Sequence, residues 1–202
     1  MMPKIKFCGF LLQEDLLQAE AMGMDFVGFN FVPTSKRLIN SEKAKVLIAT
    51  LKRAIPVGIF LESQGEEILR IARETGITWL QIYRDSCEQY DIPDHFVMIH
   101  AFRSIPSADA LRALIGSKDY ALLDGPKNGV AADIDRIAAL PQDLRDRLFI
   151  AGGLTSLNVG SIVKRIRPFA VDTASGIEHA PGQKDSLKMR AFVDAVRSAS
   201  NV

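Results

Sequence analysis

Cysteine is nearly absent from this chain: 202 residues hold only Cys8 and Cys87. Two thiols cannot build a disulfide framework, and a reducing cytoplasm suits them best. Charge of one sign is missing as well. With 25 basic and 24 acidic side chains the net charge is +1, which gives no electrostatic footprint for nucleic acid or an anionic membrane. Long apolar runs are also lacking, since no stretch approaches the roughly 18–20 uncharged residues of a membrane helix. The apolar stretch 7–12 is stopped by Gln13, Glu14 and Asp15, well short of a signal-peptide core. Low-complexity segments and Gly/Ser linkers do not occur, so one domain spanning residues 1–202 in the cytoplasm is expected.

What is present is a regular alternation. Short runs rich in Val, Ile, Leu and Phe fall at 5–8, 26–31, 57–61, 79–83, 96–102, 120–123, 148–151 and 169–171. Nearly continuous apolar character of this length predicts strands buried on both faces. Between them lie segments with helix start and stop signals. Ser41 opens a helix over 41–53, and a helix over 64–76 ends at Gly76. Ser107 opens 107–115, and 133–146 carries apolar residues at helical spacing. Thr155 or Ser156 caps 157–166, and Asp185 or Ser186 caps a last helix reaching Arg197. Residues 15–22 fill the first slot, and only 86–93 reads as a weak helix. Eight β/α units predict an α/β fold, a closed (β/α)8 TIM barrel, over an open doubly wound sheet of five to seven strands.

In such a barrel the chemistry sits where strands end and βα loops begin. Those positions hold Cys8-Gly9, Asn30 and Arg37, Glu62, Tyr83, Phe102-Arg103, Asp124-Gly125, Gly152-Gly153 and the segment 172–176. The glycine turns at Gly152-Gly153 and Ser175-Gly176 follow strands seven and eight, the frequent phosphate site of this fold, and admit a phosphate close to backbone N–H groups. Cys8 and Asp124 end strands one and six. A thiolate serves as base or nucleophile and a protonated carboxyl as acid. Each also has a plainer reading, the cysteine as a small buried hydrophobe and the aspartate as a turn residue. His100 reads as a core histidine with its hydrogen bonds satisfied.

Taken together these residues resemble the phosphoribosylanthranilate isomerase family of tryptophan biosynthesis. Lys6-Phe7-Cys8-Gly9 with Glu14-Asp15 is similar to its opening signature, and Gly28-Phe29-Asn30-Phe31 with Pro33, Ser35 and Arg37 to its second unit. Gln81, Leu122-Leu123-Asp124, Ala151-Gly152-Gly153-Leu154 with Asn158, and Ser175-Gly176-Ile177-Glu178 with Lys184-Asp185 match later units. The resemblance spans the chain. It implies an Amadori rearrangement of a small phosphorylated substrate without cofactor or metal. Asp124 would be the general acid on the furanose ring oxygen and Cys8 the general base at C2′. Arg37 would hold the anthranilate carboxylate, a task that suits a planar guanidinium, and Gly152, Gly153, Ser175 and Gly176 would hold the phosphate. A monomer or weak homodimer is expected.

The chain departs from the family at several points. Residues 125–133 replace a glycine-rich loop followed by Phe-Asp-Trp, Tyr83-Arg84 stand where the family has His-Gly, His100 replaces a lysine and Glu62 an asparagine, and Leu11-Leu12 replace a polar pair. Two further readings therefore stand beside the isomerase: a divergent paralogue acting on another aminosugar phosphate, and a non-catalytic sugar-phosphate-binding barrel.

Overall fold

The computed structural model describes residues 2–61, 63–83, 91–125 and 134–200. Eight parallel strands close into a barrel: β1 (Lys4–Cys8), β2 (Phe26–Asn30), β3 (Ile55–Phe60), β4 (Trp79–Tyr83), β5 (Val97–Phe102), β6 (Tyr120–Asp124), β7 (Leu148–Ala151) and β8 (Ala170–Thr173). Each strand pairs with the next, and β1 closes on β8 with Lys6 opposite Asp172. The helices are α1 (Gln13–Ala21), α2 (Ser41–Ile48), α3 (Gly65–Thr75), α4 (Ala108–Leu114), α5 (Ile134–Ala138), α6 (Gln142–Arg145), α7 (Val159–Ile166) and α8 (Ser186–Ser200). Every expected strand is present, with ends shifted by at most two residues.

Strand alternation divides the core in two. Ile5, Phe7, Val27, Phe29, Leu80, Ile82, Leu123, Ile150 and Val171 point outward into the helix layer. Phe26, Val57, Ile99, Leu122, Phe149 and Ala170 point inward. Aromatic rings plug the bottom of the barrel, with Phe26 5.0 Å from Trp79 and 5.3 Å from Phe149 between ring centroids. Nearer the top the inward positions turn polar: Lys6, Gln81, Asp124 and Asp172. The same alternation sends His100 to the outward face with Met98, away from the mouth cavity.

The helices differ from expectation where local chemistry intervenes. Asn40, not Ser41, caps α2 by accepting from the Lys43 N–H at 2.8 Å, and α2 stops at Ile48 rather than near Arg53. The segment expected as one helix over 133–146 is split, because Pro141 cannot sit in a helix interior and α6 restarts behind it. Helix α7 starts at Val159, since Asn158 turns back to accept from the Thr155 N–H at 2.8 Å. Gly76 ends α3 in the left-handed region, Ser107 caps α4, and Asp185 caps α8, as the sequence predicts. Most of the weak fourth helix, 86–93, lies outside the described residues.

Glu20 shows how the units are tied together. Buried at the end of α1, its Oε1 accepts from the backbone N–H groups of Lys52, Arg53 and Ala54 at 2.8, 2.8 and 3.1 Å, just before β3. Burial pushes this carboxyl up, but the three donors outweigh it and hold it below the usual carboxylate range. A lowered folded value stabilises the native state above the ordinary pKa, and that contribution is lost as pH falls through the folded value. Glu20→Ala is therefore expected to cost about 1–3 kcal/mol near neutrality by leaving buried donors unpaired. Urea denaturation should show the gap to wild type narrowing in acid.

Candidate active site

One cavity of about 380 Å³ opens at the C-terminal ends of the strands. Its wall includes Cys8, Asn30, Arg37, Ile59, Gln81 and Tyr83. Arg103, Asp124, Gly152, Gly153, Asp172 and Ser175 lie on it too. Cys8 and Asp124 occupy the last inward positions of β1 and β6, so strand periodicity brings both to the same space. Gly152 (φ +90°) and Gly153 (φ +66°) form the turn after β7 in the left-handed region. A Cβ on Gly152 would stand 2.6 Å from the Gly125 backbone, so glycine here lets the turns after β6 and β7 touch. Ser175 lies on the wall at the start of the 3₁₀ turn Ser175–Ile177.

Gly176 sits behind the wall rather than in it. A Cβ there would meet the Leu154 carbonyl oxygen at 1.9 Å, so its small size serves packing between the two turns. Asn158 braces the same region by donating from Nδ2 to the Gly153 carbonyl at 3.1 Å. Glu62, Arg84 and residues 126–133 lie outside the described residues, so the altered sixth loop has no structural account here.

Beneath the thiol lies a buried ion pair. Lys6, two residues before Cys8 and fully buried, donates from Nζ to Asp172 Oδ1 at 3.0 Å. Burial pushes the Lys6 ammonium down, but Asp172, Cys8 and Asp124 outweigh it and hold it above its ordinary value. Burial pushes the Cys8 thiol up, and the cations of Lys6, Lys184 and Arg37 only partly offset this. Burial likewise raises Asp124, against the pull of Tyr83, whose hydroxyl donates to Oδ2 at 2.8 Å. Both groups rise, from ordinary values about five units apart with the carboxyl the stronger acid.

Arg37 is held rather than free. Its Nε donates to Glu178 Oε1 at 2.8 Å and its Nη2 to Oε2, a fork that fixes the plane of the guanidinium. Glu178 opens the strand β9 (Glu178–Ala180), which pairs antiparallel with β10 (Gln183–Lys184). Lys184 Nζ donates to Glu178 Oε1 at 2.7 Å and also to the Cys8 carbonyl. The Arg37 stem lies on Gly9, where a Cβ would come within 2.3 Å of its Cδ. Burial raises Glu178, but Arg37 and Lys184 bring it below the usual carboxylate range.

Several of these residues carry no role in the sequence reading: Lys6, Gln81, Tyr83, Arg103, Glu178 and Lys184. Lys6-x-Cys8 spacing does carry a signal, because alternate strand residues share a face. Gln81 Oε1 is buried in the wall and has no hydrogen-bond partner among the described residues. An orphaned acceptor of this kind calls for a donor from a bound molecule or water. Among the described residues no group of three or more His, Cys, Asp or Glu side chains could hold a metal, and no helix is long and apolar enough to cross a membrane.

A closed parallel barrel with a polar cavity at the strand C-termini, lined by a thiol and a carboxyl, defines a (β/α)8-barrel enzyme. The family model described as N-(5'phosphoribosyl)anthranilate (PRA) isomerase matches residues 5–195, and the chain belongs to that family. The N-(5'-phosphoribosyl)anthranilate isomerase of Chlorobaculum tepidum is 37% identical, over 98% of this chain and 96% of its own length. A solved phosphoribosyl anthranilate isomerase in complex with reduced 1-(o-carboxyphenylamino)-1-deoxyribulose 5-phosphate superposes with a TM-score of 0.82, at 32% identity over 98% of this chain and all of that one. Monomers generated from the dimeric Thermotoga maritima enzyme give 0.80, at 31% identity over 97% and 99%.

The Lys6–Asp172 pair generates a prediction. Lys6→Met strands a buried carboxylate and is expected to cost about 3–5 kcal/mol, whereas Lys6→Met with Asp172→Leu removes both charges and recovers most of it. Thermal or urea unfolding of the two variants measures the difference. Equal losses would mean that the pair is not coupled.

Proposed function

We propose that this chain, acting as a single barrel domain over residues 1–202, isomerises N-(5'-phosphoribosyl)anthranilate to 1-(2-carboxyphenylamino)-1-deoxyribulose 5-phosphate. The observation that carries the reading is the meeting of Cys8 and Asp124 in one cavity of a barrel belonging to this family. Asp124 protonates the furanose ring oxygen, the bond from that oxygen to C1′ breaks, and the anthranilate nitrogen lone pair forms the C1′=N bond. The Cys8 thiolate then removes the proton from C2′, giving an enolamine that tautomerises to the ketose.

The other residues hold the substrate. Arg37, fixed by Glu178, presents its remaining N–H groups to the anthranilate carboxylate. Gly152, Gly153 and Ser175 offer backbone N–H groups to the phosphate from the turns after β7 and β8. Gly176 keeps those turns in contact. Gln81 Oε1 takes a hydrogen bond from a substrate hydroxyl, which satisfies its orphaned acceptor. No cofactor enters these steps. We place the enzyme in the cytoplasm as a monomer or weak homodimer, which sedimentation equilibrium over a range of concentrations would decide.

Protonation sets the pH dependence. The working form needs a thiolate beside a carboxylic acid, yet the thiol is the weaker acid. That form is therefore the minor one at every pH, and its population is constant between the two pKa values. Turnover should rise with pH until Asp124 ionises, stay level, and fall only when Cys8 ionises. A sharp optimum near neutrality in kcat/KM would contradict this order.

Cys8→Ala and Asp124→Asn should each lower kcat by at least ~100-fold, the lower range for lost general catalysis, with folding retained by circular dichroism. The assay follows loss of phosphoribosylanthranilate fluorescence with the substrate generated in situ. Near wild-type turnover in both variants would remove the acid–base assignment. Phosphate affinity without turnover in the wild type would favour a sugar-phosphate-binding barrel instead.

A further inference from the structure

Tyr83 closes β4 at the cavity wall, and its phenol points at one oxygen of Asp124. The O–H donates to Oδ2 at 2.8 Å, while the ring lies under the Arg103 guanidinium, whose Cζ is 5.2 Å from the ring centroid. Arg103 and Tyr83 thus brace one another at the ends of β5 and β4. We propose that Tyr83 is the positioning residue for Asp124: its hydroxyl fixes the carboxyl through Oδ2, turns Oδ1 toward the substrate, and holds the negative charge that remains once the proton has left. The proposal rests on the isomerase reading and extends it to a residue that departs from the family pattern.

The chemistry follows from what the phenol can and cannot do. Burial and the neighbouring carboxylates of Asp124 and Asp172 push Tyr83 far above its ordinary value, so it keeps its proton and acts only as a donor. Toward a neutral carboxyl the hydrogen bond is ordinary. When Oδ1 passes its proton to the ring oxygen, the same O–H faces a carboxylate and the bond becomes charge-assisted. Measured from the form with Asp124 protonated, the contact therefore strengthens as the reaction proceeds, so on the acid side of the Asp124 break it supports kcat rather than substrate binding. The other charged or titratable groups acting on Asp124 are Arg103 beyond β5, Lys6 on β1 and Asp172 on β8. Arg103 and Lys6 favour its ionised form, and Asp172 opposes it. Tyr83 adds a hydrogen bond to the carboxyl itself.

Tyr83→Phe keeps the ring under Arg103 and removes the donor. We expect kcat below the Asp124 break to fall about 10- to 100-fold, the loss of one hydrogen bond to a charged group, and to fall less on the level stretch, where the resting enzyme already holds the carboxylate; KM changes by less than about threefold. The Asp124 break in the pH profile moves to higher pH, because the ionised form has lost its donor. Replacing Tyr83 with 3-fluorotyrosine, a more acidic phenol of nearly the same shape, moves that break the opposite way. The Asp124 titration is read independently of turnover by 13C NMR of labelled aspartate carboxyls, assigned with Asp124→Asn. An unmoved titration in Tyr83→Phe overturns the proposal, as does a kcat within twofold of wild type below the Asp124 break. A uniform loss at every pH with the break in place also overturns it, since that marks a merely structural contact. Absence of turnover in the wild type is a different failure. It removes the isomerase reading and the catalytic role with it.

Discussion

Closure of the barrel is the constraint on which the site depends. When β8 returns to β1, the register sets Lys6 opposite Asp172, and both side chains point inward. Neither charge is tolerable alone at that depth, since an unpaired buried ion costs several kcal/mol. Each is supplied with its partner by the same step that removes the last two sheet edges. Closure and neutralisation are therefore one event. The pair has a chemical consequence, because the ammonium sits one inward position below the Cys8 thiol and lowers the cost of its ionisation.

A second clamp acts from above. The β9–β10 hairpin carries Glu178 and Lys184, and these reach back to Arg37 and to the Cys8 carbonyl. One buried carboxylate thereby ties the loop after β2 to the last βα connection and to the end of β1. Two cations around one anion leave positive charge facing the cavity, which suits an anionic substrate group. Arg37 is consequently oriented before any ligand arrives, and little side-chain entropy is left to lose on binding.

Much of this was legible in the sequence, for identifiable reasons. The eight apolar runs marked the strands because a parallel sheet buried on both faces leaves little room for polar residues, and Gly76, Ser107 and Asp185 marked helix ends by their own local chemistry. Cys8 and Asp124 stood out because a thiol and a carboxyl end otherwise apolar runs. What stayed hidden was pairing across the ring. Nothing local in the sequence says that Lys6 meets Asp172 or that Arg37 meets Glu178, 141 residues away. Gly176 shows a related limit: a glycine that admits a phosphate and one that admits a neighbouring carbonyl look alike in sequence. The segment 133–146 breaks into two helices because Pro141 overrides its apolar periodicity.

Tyr83 illustrates how a barrel of this kind separates position from reactivity. The strands fix where the Cys8 thiol and the Asp124 carboxyl stand, to within the rigidity of a packed core. Their readiness to exchange protons is set by neighbours that come from other strands: Lys6 and Lys184 near the thiol, Tyr83 and Arg103 near the carboxyl. Such neighbours can change while the backbone remains. A phenol at the end of β4 that keeps its proton supplies a hydrogen bond without a charge, so it faces Asp124 as a donor in both of its protonation states. A titratable group in the same place would add its own ionisation to the pH profile. The departure at Tyr83 thus leaves the proposed two-proton logic of the site intact, and it gives Asp124 a neutral donor.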